Sequence, residues 1–308
     1  METNCEGCAG CCVDWRALAD HPAPDRTGRR DPLDETYDLV PLTRDEVAAF
    51  VDDGLGDALV PRLFAPAEGD DAVAVDGHDL AAIDGRPVFI VGLRKPPKAV
   101  APLDAAPRWL PTCVFLDPDT LQCRIHGSER YPQTCAAYPG HNLRLDRETE
   151  CERVEAAFGG DRLVDAVVPE DLPPPRFGPT ALGSTVFAHP DPGALEGTVA
   201  RLAAAGRRAG AGSVPGGDSE TPPATAADRA TLVGAAVGSR PLSLSVNRDR
   251  MAEARAAVES ADSWVGRALE EWTERAAAAG GVGAPADDPG TLAREVEDRR
   301  GAPGTPGW

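Results

Sequence analysis

The sequence predicts an α+β fold in which a small, loop-rich domain precedes a mostly helical extension. Three observations lead there. Eight cysteines fall in the first half of a 308-residue chain. Short apolar segments separated by Asp-Gly turns fill residues 72–95. After residue 190, alanine-rich stretches carry apolar residues three and four apart. The expected organisation is a cysteine-rich domain over residues 1–158 and a Pro-rich connector over 159–189. A helical extension over 190–308 follows, with a flexible linker around 209–227 rich in Gly, Ser, Thr and Pro.

The elements follow in order. Asp20 to Asp34 reads as a loop, and Tyr37 to Leu42 as a short strand. Thr43 and Glu46 form a capping box, because each side chain can satisfy a free backbone N–H of the first turn. Val47, Phe50 and Val51 then make the apolar face of a helix ending near Gly54. Asp76-Gly77 and Asp84-Gly85 turn between strands, and Pro87 to Leu93 is the most buried of these. Val114 to Leu116 and Cys123 to Ile125 read as a hairpin closed by Asp117-Pro-Asp119. Short helices are expected after Pro132, carrying Cys135, and from Glu150 to Phe158. Residues 190–209 form an Ala-rich helix. Arg248 to Ala279 reads as one long helix with Met251, Ala254, Val258, Val265, Leu269 and Trp272 on a common stripe. Its cap is Asn247 and its stop Gly280-Gly281. The last twenty or so residues read as frayed.

Charge narrows the function classes. The net formal charge is −19, and Lys95 and Lys98 are the only lysines among the basic residues. An acidic, lysine-poor surface is a halophilic composition, suited to a salt-rich cytoplasm where like charges are screened within roughly 3 Å at 1 M salt. No basic run or stripe is visible, which argues against nucleic acid; Arg207-Arg208 is too small. The longest apolar run, Pro87 to Leu93, falls far short of the roughly 20 residues that span a bilayer. The polar N-terminus reads as no export signal. In a cytoplasmic setting thiols stay reduced, so the cysteines read as metal ligands before disulfides.

The cysteines fall into two quartets: Cys5, Cys8, Cys11 and Cys12, then Cys113, Cys123, Cys135 and Cys151. In Cys5-x2-Cys8 a tight turn lets two sulfurs converge on one soft ion, and Gly7 and Gly10 ease the turn. Adjacent cysteines point in different directions. Cys11 and Cys12 therefore face two metals, or different irons of one cluster, or one of them packs in the core. Closing ligands must come from the distant quartet. Clamping so long a loop offsets about 4–5 kcal/mol of chain entropy, by analogy with a covalent crosslink. The metal is then expected to be part of the fold. A zinc ribbon needs a second C-x2-C, which the distal quartet lacks, and a bacterial ferredoxin needs a fourth ligand that the first quartet does not place. Two Zn²⁺ in four-thiolate sites and one [4Fe–4S] cluster with thiols to spare both remain open.

The ordered motifs resemble a known family. Cys5-x2-Cys8-x2-Cys11-Cys12, then Cys113-x-Phe115-Leu116, Cys123-x-Ile125, Pro132-x2-Cys135 and Tyr138-Pro139 are similar to the YkgJ family of cysteine-cluster proteins, described as a zinc- or iron-chelating domain. The resemblance covers residues 1–158. It extends in part to the cysteine-rich region of bacterial flagellin lysine N-methylases. Three positions depart from the family pattern: His126 for Tyr, Tyr131 for Arg, and Ala136 for Arg. The lost arginines remove any anion-binding or thiolate-tuning role they serve elsewhere. The resemblance implies a metal-binding protein. The alternatives are an iron–sulfur redox or methyl-transfer component, and an interaction adaptor with a protein partner along helix 248–279.

His126 and His141 lie near cysteines in sequence and are auxiliary ligand candidates; His21, His78 and His189 sit in expected loops. No Rossmann fingerprint, phosphate loop, H-E-x-x-H or G-x-S-x-G is present, so no catalytic residue is assigned. Glu148, Glu150, Glu152 and Glu155 read as a solvated helix start, and Trp15 as core or as a shield beside the cysteines.

Overall fold

The structure, a computed structural model, describes residues 2–19, 30–209 and 224–307. His21, much of the loop expected from Asp20, and most of the linker expected around 209–227 lie outside the described residues. In chain order the strands are β1 (Glu2–Thr3), β2 (Leu59–Leu63), β3 (Ala72–Val75), β4 (His78–Ile83), β5 (Arg86–Leu93), β6 (Pro97–Val100), β7 (Arg108–Pro111), β8 (Leu163–Asp165) and β9 (Phe187–Ala188). The helices are α1 (Arg44–Asp52), α2 (Gln133–Ala137), α3 (Gly140–Arg144), α4 (Glu150–Phe158), α5 (Thr198–Ala209), α6 (Ala226–Gly238), α7 (Arg248–Glu259), α8 (Trp264–Ala278) and α9 (Pro289–Val296). Helices and strands are both present, in agreement with the α+β class. Among the described residues no helix is long and apolar enough to cross a membrane.

The chain divides into two units, each discontinuous in sequence. One comprises Met1–Ala23, Lys95–Pro175 and Arg267–Trp308; the other comprises Pro24–Arg94 and Arg176–Gly266. This differs from the expected boundaries at 158 and 189. All eight cysteines fall in the first unit, together with the C-terminal residues.

The cysteine-free unit is built on an antiparallel sheet ordered β2-β5-β4-β3, with β9 also on β5. Both Asp-Gly turns fall where expected, between β3 and β4 and between β4 and β5. Leu59, Val88, Phe89, Val91 and Phe187 are buried on this sheet. Residues 37–42 do not form the expected strand. Only Pro41 bridges, to Gly92, because proline has no N–H to continue a ladder. Gly92 is required there: a Cβ would stand 2.5 Å from the Val40 carbonyl oxygen. The capping box at Thr43 and Glu46 forms on α1.

The helices α6 and α7 pack against each other. Gly234 and Gly238 permit it, since a Cβ at these positions would meet the carbonyl oxygens of Met251 at 2.6 Å and Asn247 at 2.7 Å. The helix expected over 248–279 is broken between α7 and α8. Residues 260–263 read Ser-Ala-Asp-Ser, and such side chains favour caps over helix interiors. The Ser263 hydroxyl accepts from the Val265 N–H at 3.0 Å, and itself donates to Asp57 at 2.7 Å. Ala254, Val258, Val265, Leu269 and Trp272 of the stripe are buried within the chain itself. The stripe is thereby taken up by the protein's own core. The helix expected over 190–209 begins only at Thr198, after a 3₁₀ turn over Pro192–Leu195.

The link between α5 and α6 is a charged one. Asp228 is 3% exposed and accepts from the Thr198 hydroxyl at 2.9 Å and from Arg201 at 2.8 and 2.5 Å. Burial alone raises a carboxyl; here the hydrogen bonds from Arg201, Thr225 and Thr198 outweigh it and hold Asp228 well below the usual carboxylate range. Asp228→Asn is expected to cost about 2 kcal/mol at neutral pH in urea unfolding. A depressed folded value means that this contribution is complete above the unfolded pKa, about 3.9, and is lost as pH falls through the lower folded value. The gap between variant and wild type should therefore close only in strong acid.

In the cysteine-bearing unit, β6 pairs antiparallel with β7, and β1 with β8. Val13 bridges Thr112. Trp109 of β7 meets Trp272 of α8 edge to face, with centroids 5.8 Å apart. The C-terminal residues are not frayed as expected. Leu292, Ala293 and Val296 of α9 are buried, and Glu297 is 0% exposed. That carboxylate pairs with Lys98 at 2.5 Å and Arg124 at 3.0 Å, and accepts from the Trp272 indole at 3.0 Å.

Candidate metal centre

The first quartet lies on consecutive tight turns. The Cys8 N–H donates to the Cys5 carbonyl at 3.1 Å, and the Cys12 N–H to the Ala9 carbonyl at 2.8 Å. Gly7 takes φ +63° and Ala9 +50°, left-handed values that tighten the path. The Gly10 N–H points at the Cys8 sulfur, 3.4 Å away.

Two later segments attach to this turn, and a third joins one of them. Helix α4, carrying Cys151, is seated on its Cys8–Gly10 side: a Cβ on Gly10 would lie 2.8 Å from Val154 and 3.8 Å from Glu150. Glu150 is buried rather than solvated as expected, and accepts from the Trp15 indole N–H. Trp15 is fully buried and meets Phe158 edge to face. The remaining carboxylates at that helix start have local duties: Glu152 completes a capping box with Thr149, and Glu155 accepts from the Leu163 N–H at 2.7 Å.

The second segment starts at Cys113, whose N–H donates to the Cys12 carbonyl at 2.8 Å. The expected hairpin is reduced to one bridge, Leu116 to Cys123, with the Arg124 N–H on the Phe115 carbonyl. It is enough to bring Cys113 and Cys123 to one end. The third segment is α2, which carries Cys135 as expected. Tyr138 just after it accepts from the Glu150 N–H, joining α2 to α4.

Among the described residues none of the eight cysteines is disulfide-bonded. The sulfurs of Cys11 and Cys12 stand 3.9 Å apart. Also among the described residues, no three His, Cys, Asp or Glu side chains form a group that could hold a metal ion. The cysteines are neighbours, and they do not make a closed ligand shell.

Their proton affinities reflect this crowding. Burial pushes the Cys8 thiol up to about 11, and the nearby Cys11 and Cys5 add to it. Burial likewise takes Cys151 to about 12, with Cys11, Cys5 and Cys8 contributing. Cys123 also reaches about 12 through burial and then Cys113. Cys5 and Cys113 are raised chiefly by burial. The hydrogen bond between Cys12 and Cys11 favours the Cys12 thiolate, but burial and the sulfurs of Cys113, Cys135 and Cys123 win and raise it.

Cations oppose this rise, and no sequence motif assigns any of them that role. Arg162 favours the thiolates of Cys5 and Cys8, and its guanidinium also donates to the Glu6 carbonyl at 2.8 Å. Among the described residues its Nε is buried with no hydrogen-bond partner. Lys95 donates to the Cys11 carbonyl at 3.3 Å, and Lys98 to the Val114 and Leu116 carbonyls at 2.9 and 2.8 Å; both favour the Cys113 thiolate. The available signal was that these two lysines are the chain's only ones.

The auxiliary candidates differ. His126 follows Cys123, donates its backbone N–H to that residue's carbonyl, and stacks edge to face on Tyr131 at 4.8 Å. Tyr131 senses Cys135, Cys123, Cys11 and Cys12, and burial is the main reason its phenol is raised. His141 instead directs Nε2 to the Pro173 carbonyl at 2.8 Å.

Fold and site together describe a cysteine-rich α+β protein whose eight thiols share one unit with buried cations. The chain belongs to a family of unknown function, DUF7531, whose model matches residues 1–308. Comparison with curated proteins and with solved structures gives no match.

Proposed function

We propose that this protein binds metal through Cys5, Cys8, Cys11, Cys12, Cys113, Cys123, Cys135 and Cys151, and that the metal is part of its fold. The observation that carries the reading is the attachment of helix α4, bearing Cys151, and of the segment from Cys113 to the Cys5–Cys12 turn, with α2, bearing Cys135, joined to α4 through Tyr138. The donor chemistry fits zinc or iron, the latter as an iron–sulfur cluster, because thiolate is the ligand both accept. The buried, unpartnered Nε of Arg162 also fits, since an anionic sulfur centre is a natural acceptor for it. A bound cation would reverse the raised thiol affinities by stabilising the thiolates directly. The resemblance to the YkgJ family supports the same reading. So does the burial of both lysines, which leaves the acidic exterior suited to a salt-rich, reducing cytoplasm.

Elemental analysis with an absorption spectrum, on protein purified without oxygen, tests this. Stoichiometric metal is expected, and Cys8→Ser should carry less of it. Broad absorption near ~400 nm identifies an iron–sulfur cluster, and a colourless zinc protein identifies the other form. A folded chain with no metal under these conditions defeats the proposal.

A further inference from the structure

We propose that His189 is an acid-sensitive latch of the cysteine-free unit: a proton added to its buried imidazole opens the unit around the turn that follows β9. The inference is independent of the metal-binding reading, since the residues it uses all lie in the unit without cysteines.

Geometry places the latch. The His189 N–H donates to the Pro87 carbonyl at 2.9 Å, continuing the pairing of β9 with β5. The residue is 0% exposed, in contrast to the open loop the sequence suggests. Nδ1 lies 2.7 Å from the Asp191 carbonyl oxygen, which can only accept, so Nδ1 carries the proton. The opposite tautomer would take the Asp191 N–H at 3.3 Å, but it would bury an Nε2–H with nothing to bond. Nε2 is therefore a bare lone pair, and among the described residues it has no hydrogen-bond partner. The ring's bond to Asp191 holds the chain as it leaves the sheet for the 3₁₀ turn Pro192–Leu195. The Asp191 side chain caps that turn, and Leu195 within it is fully buried.

A cationic ring does not suit this place. It carries a second N–H, and at Nε2 that donor meets no acceptor in the core. Arg248 and Arg255 of α7 oppose the added charge, and Asp191 alone favours it. The charged side chains of the adjoining elements are engaged elsewhere. Arg86 of β5 donates to the Leu244 carbonyl at 2.6 Å. On α6, which packs against β9, Asp228 is held by Arg201 at 2.5 Å, and Arg229 donates to the Thr225 carbonyl at 3.3 Å. Burial is the largest influence, so the folded ring takes up its proton less readily than a free histidine. The stability tied to the neutral ring is complete above the unfolded pKa, about 6.5, and is lost as pH falls from there towards the lower folded value.

The test compares the full wild-type chain with His189→Gln and His189→Phe by urea unfolding between about pH 8 and about pH 5.5, and follows the wild-type ring and backbone amides by NMR over the same range. Relative to either variant, the wild-type folding constant is expected to fall by up to about ten-fold per pH unit below about 6.5. The ring is expected to gain its proton only as the amides around β9 lose protection. Equal pH dependence in wild type and a folded variant overturns the proposal. So does a ring that takes up its proton while those amides stay protected, and this reading decides the matter if neither variant folds.

Discussion

Stripping the metal-loaded protein with excess chelator is expected to lower its melting temperature by more than about 10 °C and to open the surroundings of Trp15. The reason lies in how little else holds the cysteine-bearing segments. β1 is two residues long, α2 and α3 are five each, and α4 is nine. Helices this short are unstable alone, since isolated ones need roughly 12–15 residues to persist. The Cys5–Cys12 turn and the segment after Cys113 are joined across a long loop, whose closure costs chain entropy that the proposed metal would offset. Structural thiolate sites contribute apparent binding energies of about 10–16 kcal/mol, larger than the typical net stability of a domain. Tryptophan fluorescence checks this directly, because Trp15 is fully buried against Phe158. An unchanged melting temperature after verified metal removal would show that the ion is cargo and not scaffold.

Replacing Glu297 by alanine is expected to destabilise the protein by about 3–5 kcal/mol, the range for removing one partner of a buried ion pair. Glu297 is 0% exposed and its carboxylate meets the side chains of Lys98 and Arg124, which are 1% and 2% exposed. Alanine would leave two buried cations facing a void and the Trp272 indole N–H without its acceptor. Arg124 keeps Asp117 at 3.3 Å and Asp298 at 3.2 Å, so the larger share of the loss falls on Lys98. Lys98 also anchors the carbonyls of Val114 and Leu116, beside Cys113, so the variant should bind metal more weakly as well. Burial shields the pair from ions, and the penalty should therefore persist at high salt, unlike that of exposed pairs. Urea unfolding at low and high salt measures both points; a loss under about 1 kcal/mol would refute the account.

What the sequence made legible was local. The Thr43–Glu46 cap, the two Asp-Gly turns, the helix from Glu150 and the position of Cys135 on a short helix all follow from signals within a few residues, and all are present. Helix α6 was missed because its run from Ala230 to Gly238 is buried on every side, so it shows no amphipathic stripe, and carries two glycines. Each glycine costs an isolated helix roughly 1 kcal/mol, and only the close approach of α7 explains them. The buried C-terminus was missed for a related reason. Arg124 and Glu297 are 173 residues apart, and no periodicity announces such a pairing. At the candidate centre the thiols themselves were plain from their spacing. Their cations were not, because these depend on which segment the turn meets in space.

The interior position of both lysines bears on how the native protein meets reactive chemistry. Lys95 is 7% exposed and Lys98 1%, and every other basic side chain is arginine or histidine. Acylating esters, aldehydes and enzymes that modify primary amines therefore find almost no side-chain target while the chain is folded. Such a reagent becomes a gauge of opening: each lysine it labels marks a molecule in which the surroundings of Cys11 and Cys113 have come apart.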